Sequence, residues 1–265
     1  MKTKGDTHTH SKFSSDGSVE IDLMVQNARD AGASYLAITD HCDFDVIQEG
    51  NSIPIPWRPI DLDAYYADFL RVREKTKDLY LAFGIEAGYD GRANDKYTEI
   101  IERYPFDVVI NSVHFVKGWD AYFPYFFDGK TKQEAYTMYL ETVLESLDAP
   151  YPFNIVGHIG YCVRNAPYAD NVMHYGENAE LIDIILKKVI ETGAALEINL
   201  HNAMTPNIEI ITRYYELGGR KISYGSDAHR GDVFKDYDKT AKMLREMGFT
   251  HFSVFKKRVE EKIEI

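Results

Sequence analysis

The chain has 265 residues, 45% of them hydrophobic, and no Pro/Ser/Gly-rich linker, low-complexity tract or long charge block divides it, so residues 1–265 are read as a single domain. A formal net charge of −12 excludes the basic face that a nucleic-acid binder needs, and no apolar stretch is long enough to span a membrane. The polar start, Met1-Lys2-Thr3-Lys4-Gly5-Asp6, lacks the apolar core of a signal peptide, and two cysteines, Cys42 and Cys162, are too few for a disulfide framework, so a cytoplasmic chain with free thiols is expected.

Short β-branched or aromatic runs alternate with helical periodicity, which predicts βα units around a parallel sheet. The first strand, Gly5–His10, places His8 and His10 on one face and Thr7 and Thr9 on the other, because alternate residues of a strand share a face. Asp16 follows in the turn Phe13-Ser14-Ser15-Asp16-Gly17-Ser18, which can fold back over those imidazoles. The second strand, Tyr35–Thr39, ends abruptly in Asp40-His41; His41 is read as a ligand and Asp40 as the group that orients a neighbouring imidazole. Tyr80–Glu86 ends in a carboxylate able to bridge two cations, and Val108–Ser112 leads to His114.

Helices are predicted over Lys132–Leu147 and Ala179–Glu191, each with an apolar stripe to cover the outside of the sheet. Between them, Asn154–His158 is the fifth strand; Ala195–Leu200, followed by His201, is the sixth; Ile222–Ser226, followed by Asp227-Ala228-His229, is the seventh. Gly32, Gly193 and Gly248 follow helical patterns as left-handed stops. Thr250–Phe255 is read as one more short strand, with a final helix running to Ile265. Two long loops, Cys42–Pro59 with Trp57 and Phe115–Gly129 with Trp119, leave ligand-bearing strands and are expected to rim a pocket.

Of nine histidines, six fall at strand ends on one face of the expected barrel, a concentration that scatter does not explain. Imidazoles and carboxylates at an open site suit zinc, iron or manganese, and without dominant thiolates they point to a hydrolytic centre rather than a structural knot. Arg164, in the loop after His158, is expected to clamp phosphoryl oxygens, whereas Lys117 and Arg230 are read as rim charges. His201 is expected to reach substrate rather than metal; His174 and His251 are read as structural.

These strings resemble the PHP family, named for its polymerase-associated and histidinol phosphatase members: His8-Thr9-His10 with Ser14-Ser15-Asp16-Gly17, Ile38-Thr39-Asp40-His41, Gly84-Ile85-Glu86, Ser112-Val113-His114, Gly157-His158 and Gly225-Ser226-Asp227-Ala228-His229. The resemblance implies an α/β fold, a distorted (β/α)7 barrel, holding two or three divalent cations. It places His8, His10, Glu86 and Asp227 on one metal, Glu86, His114 and His158 on a second, and Asp16, His41 and His229 on a third. Some members carry histidine where this chain has Asp16.

Thr39-Asp40-His41-Cys42-Asp43-Phe44-Asp45, and Ser112-Val113-His114-Phe115 with Gly118-Trp119-Asp120, are similar to the family's histidinol-phosphate phosphatases. That similarity implies a phosphomonoesterase for a small phosphorylated substrate, L-histidinol phosphate, working by in-line attack of a hydroxide shared between the first two metals. Arg164 and the third cation would hold the nonbridging oxygens, and His201, His229 or a metal-bound water would protonate the leaving alkoxide. Asp43, Asp45 or Asp120 would meet the substrate amine. The rival readings are a PHP-type esterase for nucleotides or other small esters, and a non-catalytic metal-binding regulatory module. An amidohydrolase is disfavoured because no lysine stands at the appropriate strand end.

Overall fold

The computed structural model describes residues 4–44 and 58–265, so Asp45 and Trp57 lie outside the described residues. Its strands are β1 (Lys4–Asp6), β2 (Ala33–Ile38), β3 (His41–Asp43), β4 (Tyr80–Gly88), β5 (Val108–Ser112), β6 (Phe115–Val116), β7 (Trp119–Asp120), β8 (Ile155–Val156), β9 (Ala195–Asn199), β10 (Ile222–Gly225), β11 (His251–Lys256) and β12 (Val259–Glu264). The α-helices are α1 (Ile21–Asp30), α2 (Leu62–Lys75), α3 (Asn94–Arg103), α4 (Lys132–Ser146), α5 (Ala179–Thr192), α6 (Ile208–Glu216) and α7 (Tyr237–Glu246).

Strands pair in the order β1-β2-β4-β5-β8-β9-β10, all parallel. The last approaches the first: Thr7 N donates to Tyr224 O at 3.0 Å, and Asp227 N donates to His8 O at 2.8 Å. The sheet is thus the nearly closed seven-stranded βα barrel expected. One strand is interrupted. After Ile38 the chain leaves the ladder at Thr39-Asp40 and resumes as β3, where His41 faces Glu86 across β4. Both elements occupy one strand position, so the seven-fold count survives.

Two packed layers make the structure. Outside, α5 buries Ile182, Ile185, Leu186 and Val189 and stops at Gly193 with φ 71°. Each such side chain contributes about 1.5–3 kcal/mol on burial. A capping box between Thr131 and Glu134 starts α4. Inside, Tyr35, Ala37, Ala82, Val108, Ile110, Ile155 and Ala195 pack on Val254, Phe255 and Ile263.

That inner contact corrects the expected C-terminus. Val259–Glu264 is not a helix but the second strand of an antiparallel hairpin, β11–β12. Its turn, Lys257-Arg258, has φ 48° and 66°. Two-residue turns of this kind normally show Asn-Gly or Asp-Gly, so the basic pair carried no turn signal. The hairpin plugs the barrel at the strands' N-terminal ends, where Tyr35 donates its hydroxyl to Phe255 O at 2.8 Å and Lys257 N donates to Asp107 Oδ1 at 2.8 Å. A Cβ on Gly5 would lie 2.5 Å from Ile263 Cδ1. The opposite mouth is left for chemistry.

Candidate metal centre

At the C-terminal ends of the strands, Asp6 joins the first ligand-bearing segment to the last. Its buried carboxylate accepts from the backbone N–H groups of His8, Ser226 and Phe234 at 3.3, 3.1 and 3.2 Å. Burial pushes Asp6 up to about 6. Beyond it, past the end of β1, the His8 and His10 rings lie with centroids 4.9 Å apart.

Four imidazoles have their outer nitrogen occupied. His8 Nδ1 donates to Glu197 Oε1 at 2.6 Å, His114 Nδ1 to Asp43 Oδ1 at 2.9 Å, and His229 Nδ1 to Asp227 O at 2.9 Å. His10 Nδ1 donates to Ser14 Oγ at 3.0 Å, and Ser14 donates onward to Asp40 Oδ1 at 2.6 Å. Asp40 therefore orients His10 through Ser14. These partners assign the proton to Nδ1 and turn the Nε2 lone pairs toward the centre.

Glu86 is the hub of that centre. Its Oε1 lies 3.3 Å from His8 Nε2, 3.1 Å from His114 Nε2 and 2.8 Å from His158 Nε2; its Oε2 lies 2.7 Å from His41 Nδ1 and 3.6 Å from His10 Nε2. Asp227 Oδ1 is 3.1 Å from His10 Nε2. On the outer side, Asp16 approaches His41 Nε2 at 3.6 Å and His229 Nε2 at 3.3 Å. All nine residues expected as ligands meet here. They form one continuous cluster rather than three separate sets, since His41 turns one nitrogen to Glu86 and the other toward Asp16 and His229.

Two contacts test whether cations fit. His41 Nε2 faces His229 Nε2, and His114 Nε2 faces His158 Nε2, each at 3.3 Å. Paired lone pairs repel unless a proton or a cation lies between them. His8 Nε2 and His10 Nε2 are buried without a hydrogen-bond partner, a condition that costs about 1–3 kcal/mol per neutral group. Donors of this type fit divalent cations, and triads such as His8/Glu86/His158 and His10/His41/His229 have their donor atoms within 4.8 Å of one another. Burial opposes charge on Glu86, yet the His8, His114 and His41 rings, when positively charged, hold its carboxylate well below the usual range. Burial likewise opposes charge on Asp227, which His8 and Arg164 hold down.

Above the cluster opens a cavity of about 500 Å³. Arg164 lies on its wall with Nη2 donating to Asn199 Oδ1 at 2.7 Å and Asp227 Oδ2 at 3.0 Å, while its buried Nε has no partner. His201 also lines the cavity and is anchored by Nδ1 on Asp227 O at 2.9 Å. Asp120 accepts from Tyr122 N at 2.9 Å and from the Tyr161 hydroxyl at 3.2 Å, both on Oδ1. Burial pushes Asp120 up to about 6.

Other expectations sort themselves by position. Asp43 lines the cavity and orients the His114 ring through Oδ1. Arg230 is on the rim of this cavity, but Lys117 lines a different one. His174 is a surface residue between Asp170 and Glu209, and His251 pairs with Thr250, as structural histidines would. Cys42 and Cys162 are buried free thiols. Sequence reasoning missed Glu197 and Asn199. The one available signal was their alternation in Ala195-Leu196-Glu197-Ile198-Asn199, which puts two polar side chains on one face of a buried strand.

A family model described as PHP domain matches residues 6–201. A probable histidinol-phosphatase of Clostridium acetobutylicum is 30% identical over 235 residues, covering 86% of this chain and 87% of that relative. A histidinol-phosphatase of Lactococcus lactis subsp. lactis is 29% identical over 260 residues, covering 95% and 94%. The crystal structure of the histidinol phosphate phosphatase from Lactococcus lactis subsp. lactis, complexed with zinc, L-histidinol and phosphate, superposes with a TM-score of 0.86 at 26% identity, covering 98% of this chain and 99% of that one.

Proposed function

Because the chain belongs to the PHP domain family, we propose that residues 1–265 act as one metal-dependent phosphomonoesterase domain that converts L-histidinol phosphate to L-histidinol and phosphate. The observation that carries this reading is Glu86, whose two oxygens meet five imidazoles beneath a cavity walled by Arg164. The likeness to the Lactococcus structure supports the substrate. A cavity of about 500 Å³ is of the size that takes a small organic phosphate.

We assign His8, His10, Glu86 and Asp227 to a first cation, Glu86, His114 and His158 to a second, and Asp16, His41 and His229 to a third. Two or three divalent cations held by these residues, drawn from zinc, iron and manganese, would supply Lewis acidity and lower the pKa of water at the site. The protein's own groups do the rest. Arg164 meets the nonbridging oxygens with its guanidinium, backed by Asn199, and stabilises charge as the transition state forms. His201, fixed through Nδ1 and disfavoured by burial from carrying charge at rest, would accept at Nε2 the proton that the attacking water gives up and hand it to the departing alkoxide. Asp120 faces the substrate's amine from the cavity wall. Among the described residues no helix is long and apolar enough to cross a membrane, and the two unpaired thiols suit the cytoplasm.

The test is phosphate release from L-histidinol phosphate by metal-supplied protein, beside glycerol phosphate, nucleoside monophosphates and a phosphodiester, with His114→Ala as control. Preference for histidinol phosphate that the variant loses is the expected result. Preference for a nucleotide would overturn the substrate, and inactivity on every ester would favour a metal-binding module without turnover.

A further inference from the structure

Glu197 stands on β9, a strand that supplies none of the proposed ligands, and it is wholly buried. Its two oxygens reach two different ligand-bearing segments: Oε1 accepts from His8 Nδ1 and Oε2 from the backbone N–H of His158, both at 2.6 Å. The barrel keeps a hollow for it. A Cβ on Gly225 would lie 2.1 Å from Glu197 Oε1 and 2.9 Å from His8 Cβ. β8 ends at Val156, so the His158 amide depends on this carboxylate rather than on the sheet ladder.

From these contacts we infer that Glu197 is a positioning residue that locks His8 as its Nδ1-protonated tautomer and ties it to the His158 segment, setting the spacing of the two cation positions flanking Glu86. The inference rests on the reading of His8 and His158 as ligands. A carboxylate accepts on both oxygens, whereas a glutamine amide accepts on one and donates on the other. In Glu197→Gln, one orientation sets the NH2 against the His158 N–H. The other sets it against His8 Nδ1 and drives that ring's proton to Nε2, where the lone pair is needed. Outer partners of metal-bound histidines typically carry about 10–100-fold of metal affinity.

The 265-residue protein, stripped of metal, would be titrated with zinc against a chromophoric chelator, and the histidine ring nitrogens followed by nitrogen-15 NMR. Glu197→Gln should bind zinc about 10–100-fold more weakly than wild type, and its Nδ1-protonated His8 signal should weaken or move. Gly225→Ala leaves the carboxylate in place chemically but displaces it, and should weaken zinc in the same direction; it decides the matter if Glu197→Gln does not fold. Zinc affinity equal to wild type in the folded variants, even with a lowered melting temperature, overturns the inference alone. A wild type that takes up no zinc overturns the metal reading and this inference with it.

Discussion

Replacing Arg164 by methionine isolates the phosphate clamp from the fold. The substitution keeps an unbranched stem and removes the guanidinium whose Nη2 serves Asn199 Oδ1 and Asp227 Oδ2. Neither oxygen is left alone, because His201 N still donates to Asn199 Oδ1 at 2.9 Å and Asn199 Nδ2 to Asp227 Oδ2 at 3.2 Å. The folding cost should therefore fall below the about 3–5 kcal/mol of a broken buried ion pair left uncompensated. The catalytic cost should be larger. A donor aimed at charge that develops in the transition state is worth about 2.7–4 kcal/mol, or about 10²–10³ in kcat. Steady-state phosphate release, with metal content and melting temperature measured on the same samples, reads both. A kcat/KM within threefold of wild type at equal metal loading would refute the clamp, and a variant that lost metal instead would show that Arg164 serves only to balance Asp227.

Asp120 stands at about 6, above its ordinary 3.8, because it is buried. The stability this raised value confers is complete below 3.8 and is lost as the pH rises through about 6, where the buried carboxylate becomes charged and gains from a further cation beside it. A substrate amine supplies that cation, so the preference for histidinol phosphate over an uncharged ester should grow as the pH rises through about 6, and Asp120→Asn should flatten the trend in kcat/KM ratios. Ile263→Ala, in the plug, should cost about 2–5 kcal/mol in denaturant unfolding and leave kcat unchanged, since the hairpin closes the mouth away from the site. Chelation followed by dialysis should abolish activity and lower the melting temperature; free metal at 1,000 times its dissociation constant would return about 4 kcal/mol by mass action. An unchanged melting curve would count against a metal centre among these residues.

Much of the site was legible because its first layer is local. The pairs His8/His10 and Asp227/His229 each follow directly on a strand that ends at the same mouth, and His41, Glu86, His114 and His158 each stand where an apolar run stops. The barrel count was legible for the same reason, even though Thr39-Asp40 interrupts one strand. Less was visible where charge hid a pattern: the run Lys256-Lys257-Arg258 concealed a hairpin turn, and a plug was read as a helix.

Neighbours in the chain dictate backbone periodicity, so the order of residues was enough to show which side chains leave the strand ends together and which chemical donors they carry. The outer contacts of those donors had no such local signature. Glu197 meets His8 from 189 positions away, Asp43 meets His114 from 71, and Arg164 meets Asp227 from 63. Only closure of the sheet brings such groups within hydrogen-bond reach, so each ring's tautomer, the hold on Arg164 and the burial that lifts Asp120 belong to the assembled barrel.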